Sequence, residues 1–328
     1  MAFTRSSAPL TGFDDPSDGR RRAIVITALV IVVAAVIILL PPQFAMGVVI
    51  SGFVAAGAWV GWTRIANQRA IRTPAETTKR VGLPALGVVQ RLSAHTLREV
   101  SPDQRTPHGY VLEKPESQFA GVFRHALTFA GKSASGNKRA IIAVTSPFRE
   151  EGATTVSLCL ARTMAAQGKS VVLVDCDLRK RTLTRSLGLS PRQGVWEAIG
   201  APDTQKYFQL DPDSHVKVLP AGNEGGVFRD LFSKRGFFEL IRALRRTHDC
   251  VILDCPAALT SVDTRMIVGG ADSVVLVVQH GKTPTSAIRT TQRQLNIGGH
   301  ARPAGIIINK APKSRDLTEI GVATRGEW

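Results

Sequence analysis

Acidic side chains are in short supply in this chain: 26 Asp and Glu stand against 42 Lys and Arg, for a formal net charge of +16 and a pI near 10.4. So basic a surface needs an anionic partner, and nucleic acid and anionic lipid are the two candidates. Cysteine is scarce as well. Cys159, Cys176, Cys250 and Cys255 show no CxxC spacing and three of them flank apolar runs, which excludes a disulfide scaffold and reads as small core residues in a reducing compartment. The seven histidines are scattered singly, without the i, i+4 or Cys-partnered spacing of a metal centre. Tyr110 and Tyr207 are the only tyrosines, too few for a cluster of that residue.

What is abundant is apolar sequence near the N-terminus. Residues 23–40 have no charge and only Thr27 as a polar side chain, and residues 44–62 have only Ser51. Each run is just long enough to span a bilayer. Pro41, Pro42 and Gln43 between them allow a tight turn and nothing more, so a transmembrane helical hairpin is expected. Arg20, Arg21 and Arg22 precede it while Arg64, Arg69 and Arg72 follow it, which puts both termini and the soluble part on the cytoplasmic side of an inner (plasma) membrane. A cleaved signal peptide is the rival reading, and the second apolar run argues against it. Gly57 and Gly61 form a GxxxG that either packs against another helix or reflects the ordinary glycine content of membrane helices.

The expected organisation is a tail over 1–22, the hairpin over 23–62, a juxtamembrane linker over 63–117, an α/β domain over 118–312 and a tail over 313–328. The linker is rich in Pro, Thr and Arg, and its charge suits an anionic lipid surface, so no nucleic acid is expected as a partner. After it the pattern changes. Strand-like apolar runs occur at 140–145, 171–175, 216–219, 250–254, 273–279 and 304–309, with helix-length intervals between most of them. That alternation predicts a doubly wound, mainly parallel sheet, in which ligands bind beyond the carboxyl ends of the strands.

The informative residues stand at those ends. The first run leads into Ser146, Pro147, Phe148, Arg149, Glu150, Glu151, Gly152, Ala153, Thr154 and Thr155, a strand–loop–helix junction placed where a P-loop cradles phosphates. The second ends in Asp175 and Asp177, and a later one in Asp254. Two acidic strand ends and a loop-to-helix turn suit a nucleotide and Mg²⁺, although a single strand-end acid is more often a cap or turn residue.

Over residues 70–312 the sequence resembles the bacterial tyrosine kinases of exopolysaccharide and capsule assembly, the cytoplasmic modules of polysaccharide co-polymerases. The segment from Gly82 to Val89 is similar to the "GLPVLGVIP"-like stretch after the family's last membrane helix. The run with Asp175, Asp177 and Arg179 looks like its second Walker motif, and the run from Cys250 to Pro256 like its third; Asp263, Asn309 and Lys310 also fall where the family has an aspartate and a base-side asparagine. The resemblance implies a P-loop fold of the deviant-Walker, MinD-like type and a site for ATP and Mg²⁺. Its catalytic residues would be Asp175, Asp177 and Asp254, its nucleotide cradle Ser146, Glu151, Gly152, Ala153, Thr154, Thr155 and Asn309, and its metal ligands Thr154, Asp175 and Asp254.

Departures from the family pattern concentrate on chemistry. Where its loop reads like "SxxPGEGKTT", Arg149 stands at the proline, Glu150 at the glycine and Ala153 at the lysine. Losing one preorganised donor commonly costs about 10²- to 10³-fold in rate, and Glu150 adds a carboxylate where an anion must approach, so ATP and Mg²⁺ binding is expected to be weak or lost. Arg149 is no equivalent replacement, because its planar fork sits on a different stem. The "EAFRxLR"-like association helix keeps only Phe123 and Arg124, the tyrosine-rich tail has no counterpart, and no extracytoplasmic domain separates the two apolar runs. The leading expectation is a membrane-anchored, pseudokinase-like component of polysaccharide production acting through a separate co-polymerase or export protein. An active but divergent kinase or ATPase, and a partition-type ATPase, remain as alternatives.

Overall fold

The computed structural model describes residues 70–132, 139–222, 231–233, 235–296 and 302–313. Both expected transmembrane runs, the N-terminal tail and nearly all of the C-terminal tail lie outside these residues. Among the described residues no helix is long and apolar enough to cross a membrane.

The described residues fall in one compact unit built on an eight-stranded sheet. The strands are β1 (Ala85–Gln90), β2 (Ala140–Thr145), β3 (Val171–Asp175), β4 (Gln209–Leu210), β5 (Lys217–Leu219), β6 (Cys250–Asp254), β7 (Ser273–Gln279) and β8 (Arg302–Ala311), in the order β1-β8-β7-β2-β6-β3-β5-β4. All neighbours are parallel except β4, which pairs antiparallel with β5 at the edge. The continuous apolar runs of β2, β3 and β6 are buried along their whole length, as strands covered on both faces must be.

Helices cover both faces. On one side α4 (Gln118–Lys132) and α5 (Ala153–Ala166) bury Phe123, Ala126, Val156 and Leu160. On the other, α8 (Arg235–Thr247) and α9 (Asp263–Val268) bury Phe237, Leu240, Ile241, Ile267 and Val268. A third apolar group, with Ile71, Val88, Ile288 and Ile306, lies beneath α1 (Pro74–Val81) and α10 (Thr285–Leu295). The shorter helices are α2 (Ala94–Leu97), α3 (Pro107–Glu113), α6 (Thr182–Ser186) and α7 (Val195–Ala198).

The expected linker needs correction. From Ala70 to Ser117 it is part of the domain: β1 pairs with β8, and Ile71 and Leu86 have no exposed surface. Pro74 at the first helical position, with the Glu76 carboxylate accepting from the Thr73 N–H at 3.2 Å, starts α1 within the segment expected as linker. Gly87 is needed for the next layer, because a Cβ there would run into the Val122 side chain of α4.

Phe123 and Arg124 of the expected association helix both serve the domain itself. Phe123 is buried against Phe119 in an edge-on ring contact at 5.3 Å, and Arg124 donates to the Pro115 carbonyl.

Candidate functional site

The chain leaves β2 for α5 and returns as β3 on the far side of β6, so the carboxyl ends of β2, β6 and β3 lie side by side. Strand register sets Val144 opposite Asp254 and Asp254 opposite Asp175. The two aspartates and the loop 146–152 therefore share one end of the sheet, the switch point at which parallel sheets of this kind take ligands.

The loop holds two residues in left-handed backbone conformations. Glu150 has a φ of 64°, a left-handed conformation that glycine adopts freely and a side chain resists. Gly152 has a φ of 98°, and a Cβ there would collide with Nδ2 of Asn309. That amide donates to the Glu151 carbonyl at 2.8 Å, while the Ser146 hydroxyl donates to the Phe148 carbonyl at 2.6 Å. Glu151 folds back into the loop, accepting from the Phe148 N–H at 2.9 Å and from the Thr283 hydroxyl; burial raises its pKa, and these hydrogen bonds oppose the rise. Its carboxylate braces the loop.

Ala153 is buried at the first position of α5, and Thr154 and Thr155, both half-buried, complete the first turn. A methyl group stands where the family pattern has an ammonium. A cation does reach the loop from elsewhere: Lys310, at the end of β8, donates from Nζ to the Glu150 carbonyl at 2.6 Å. Nothing in the spacing along the chain signals this contact, since it depends on β8 ending two strands from β2.

The strand-end carboxylates are engaged within the chain. Asp175 is fully buried; one oxygen accepts from the N–H and hydroxyl of Thr184 at 2.9 and 2.6 Å, the other from the Asp177 N–H at 3.1 Å. Burial pushes its pKa up to about 6 against the pull of those bonds. Asp254 accepts from the Ser157 hydroxyl at 2.8 Å and is also hydrogen-bonded by Thr154; burial, reinforced by the charge of Asp175, holds it well above the carboxylate range. Asp177 sits further out, accepting from the Lys180 N–H at 3.0 Å in a cleft shared with Arg149, Arg179, Thr260, Ser261 and Asp263. The structure thus brings the expected loop, Asp175, Asp177, Asp254 and Asn309 to one end of the sheet. Of the hydroxyls that satisfy its acids, Thr154 lies in the expected loop, whereas Thr184, Ser157 and Thr283 carry no signal in a single sequence.

A parallel α/β domain with a strand–loop–helix cradle and acidic strand ends belongs to the P-loop class. Comparison with known proteins takes this further. Residues 140–296 match the AAA domain family. The chain is 29% identical over 215 residues to the succinoglycan biosynthesis transport protein ExoP of Rhizobium meliloti, covering 64% of this chain but 27% of that protein. It is 26% identical to the tyrosine-protein kinase CpsD of Streptococcus agalactiae, covering 66% of this chain and 89% of the relative. The kinase domain of the Escherichia coli tyrosine kinase ETK has the same fold, with a TM-score of 0.64 at 19% identity over 79% of this chain and 99% of that one. These likenesses support a P-loop domain similar to those of the bacterial tyrosine kinases and polysaccharide co-polymerases.

Proposed function

We propose that this protein is a pseudokinase-like component of exopolysaccharide or capsule production, held in the inner membrane by residues 23–62 and acting by contact with a separate co-polymerase or export protein. The family's role in polysaccharide assembly, carried in the names of the ExoP and CpsD relatives, supports the setting. The observation that carries the loss of catalysis is Ala153, a buried methyl group where phosphate would need a cation. Asp175 and Asp254 are consistent with it: Thr184, the Asp177 N–H and Ser157 already hydrogen-bond their oxygens, bonds that a Mg²⁺ ion would have to displace. The burial of Tyr110 and the half-burial of Tyr207 are in keeping with this reading.

Incubating the purified full chain with Mg-ATP is expected to give neither phosphate release nor a phosphate mass gain on Tyr110 or Tyr207. Turnover abolished by Asp175→Asn would contradict the reading. Reporter fusions at residues 1 and 328 test the anchoring, and a periplasm-active reporter at either end would overturn it.

Lys310 favours a second reading, in which phosphate binding survives without the loop's own lysine. Residual nucleotide binding lost in Lys310→Ala would support it.

A further inference from the structure

The outer side of α1 and α10 carries charge of almost one sign. Arg72, Lys79, Lys282, Arg289 and Arg293 are all exposed, whereas Glu76 is the only acid in residues 70–82 and 280–296. Glu76 is already committed, pairing with Arg80 at 3.3 Å and accepting the Arg72 N–H at 2.7 Å.

The two helices are held together by backbone acceptors. Arg289 donates to the Arg80 carbonyl from Nε at 2.9 Å and Nη2 at 2.5 Å, Gln292 donates to the Val81 carbonyl at 3.3 Å, and Ala70 bridges Pro284. The two helices and the residues leading into them are therefore joined, and their segments supply no carboxylate besides Glu76. The apolar side of the pair is used up, because Ile71 and Ile288 are buried against the sheet. What faces outward is a rigid cationic surface, and its complement is a surface of fixed negative charge.

We propose that the α1–α10 face docks on an anionic lipid bilayer, its guanidinium and ammonium groups meeting headgroup phosphates. The proposal rests on the anchoring of residues 23–62 given above, since a tether makes such docking intramolecular and lets individually weak contacts add up. Each basic residue near an anionic membrane strengthens binding by about fivefold. A rigid array of five therefore suffices without a dedicated pocket.

The test uses the full chain in nanodiscs of phosphatidylcholine, with or without phosphatidylglycerol. A fluorophore is placed at Ser286→Cys on α10, with a control at Asp203→Cys in the segment leading to β4 on the opposite sheet edge; nitroxide-headgroup lipid is the quencher. Quenching at position 286 is expected only with phosphatidylglycerol, is reversed by salt, and falls to the control level in Lys282→Glu/Arg293→Glu, which leaves the Arg289 bonds between the helices in place. Equal quenching in phosphatidylcholine alone, or quenching unchanged in the double variant, overturns the proposal.

A chain that fails to enter nanodiscs refutes the anchoring and is then tested by co-sedimentation with phosphatidylglycerol vesicles. There a roughly 25-fold loss of affinity in the double variant still supports the face. Sedimentation like the unmodified protein, or tighter binding to duplex DNA than to vesicles, overturns it.

Discussion

Helix α5 serves two groups of buried carboxylates, and only one of them has a cation. Its first half offers Thr154 and Ser157 to Asp254, beside Asp175. Its second half offers Arg162, with no exposed surface, whose guanidinium donates to both oxygens of Asp211 at 2.7 and 2.6 Å, to Asp213 at 2.9 Å and to the His108 carbonyl at 3.0 Å. Burial alone would raise the pKa of Asp211, yet the hydrogen bonds and charge of Arg162 hold it below the ordinary range. Nothing comparable lowers Asp175 or Asp254. The lesson is one of allocation: α5 carries its buried cation where that joins α3, α5 and the β4–β5 edge, and carries none at its first turn beside Asp175 and Asp254.

Breaking the paired group should have the largest effect. Arg162→Met leaves Asp211 buried without a partner and should cost about 3–5 kcal/mol in denaturant unfolding. Arg162→Met/Asp211→Leu should recover most of that, because the charge left unpaired is then removed. No recovery would mean that Arg162 acts through packing.

His108, on the same cluster, sharpens the contrast through pH. Burial, then the charge of Arg162, lowers its pKa from 6.5 to about 4, so the folded state holds it neutral. Its contribution is complete above the unfolded value and is lost as pH falls from about 6.5 to about 4, by roughly 3 kcal/mol. Asp175 has the opposite sign: with its pKa raised to about 6, its contribution is complete below the unfolded value near 3.8 and is lost as pH rises through about 6. His108→Gln should therefore remove the acid-side loss of stability and leave a decline between pH 4 and pH 6, read from urea unfolding at each pH. A variant with the pH profile of the unmodified protein would refute the assignment.

A smaller effect is expected at the unpaired group. Glu150→Gly relieves a left-handed conformation and should raise stability by about 1 kcal/mol or less, net of the entropy that glycine loses on folding. Destabilisation would show that the Glu150 side chain makes a contact that matters.

Much of this fold is legible in the sequence, because apolar runs of five to seven residues bounded by polar residues suit strands buried on both faces: β2, β3, β6 and β7 have the expected limits. β1 was hidden by the proline and glycines around it, which read as linker, and β4 by its length of two residues. At the site, the loop, Asp175, Asp177, Asp254 and Asn309 are legible because strand-end position and motif order fix them together. Arg162 was not, since one arginine in an otherwise apolar helix gives no hint that Asp211 and Asp213, some fifty residues later, turn back to meet it. The Lys310 contact is hidden for the same reason.

The central claim is that the loop 146–152 still stands at the β2–α5 junction and has no lysine of its own. Titration calorimetry of Mg-ATP into the full chain, unmodified and as Ala153→Lys/Glu150→Gly, tests it most directly. The account predicts weak or undetectable binding by the unmodified protein and a gain of at least about tenfold in the double variant, about 1.4 kcal/mol. Micromolar binding by the unmodified protein, with no gain on restoring the lysine, would contradict it.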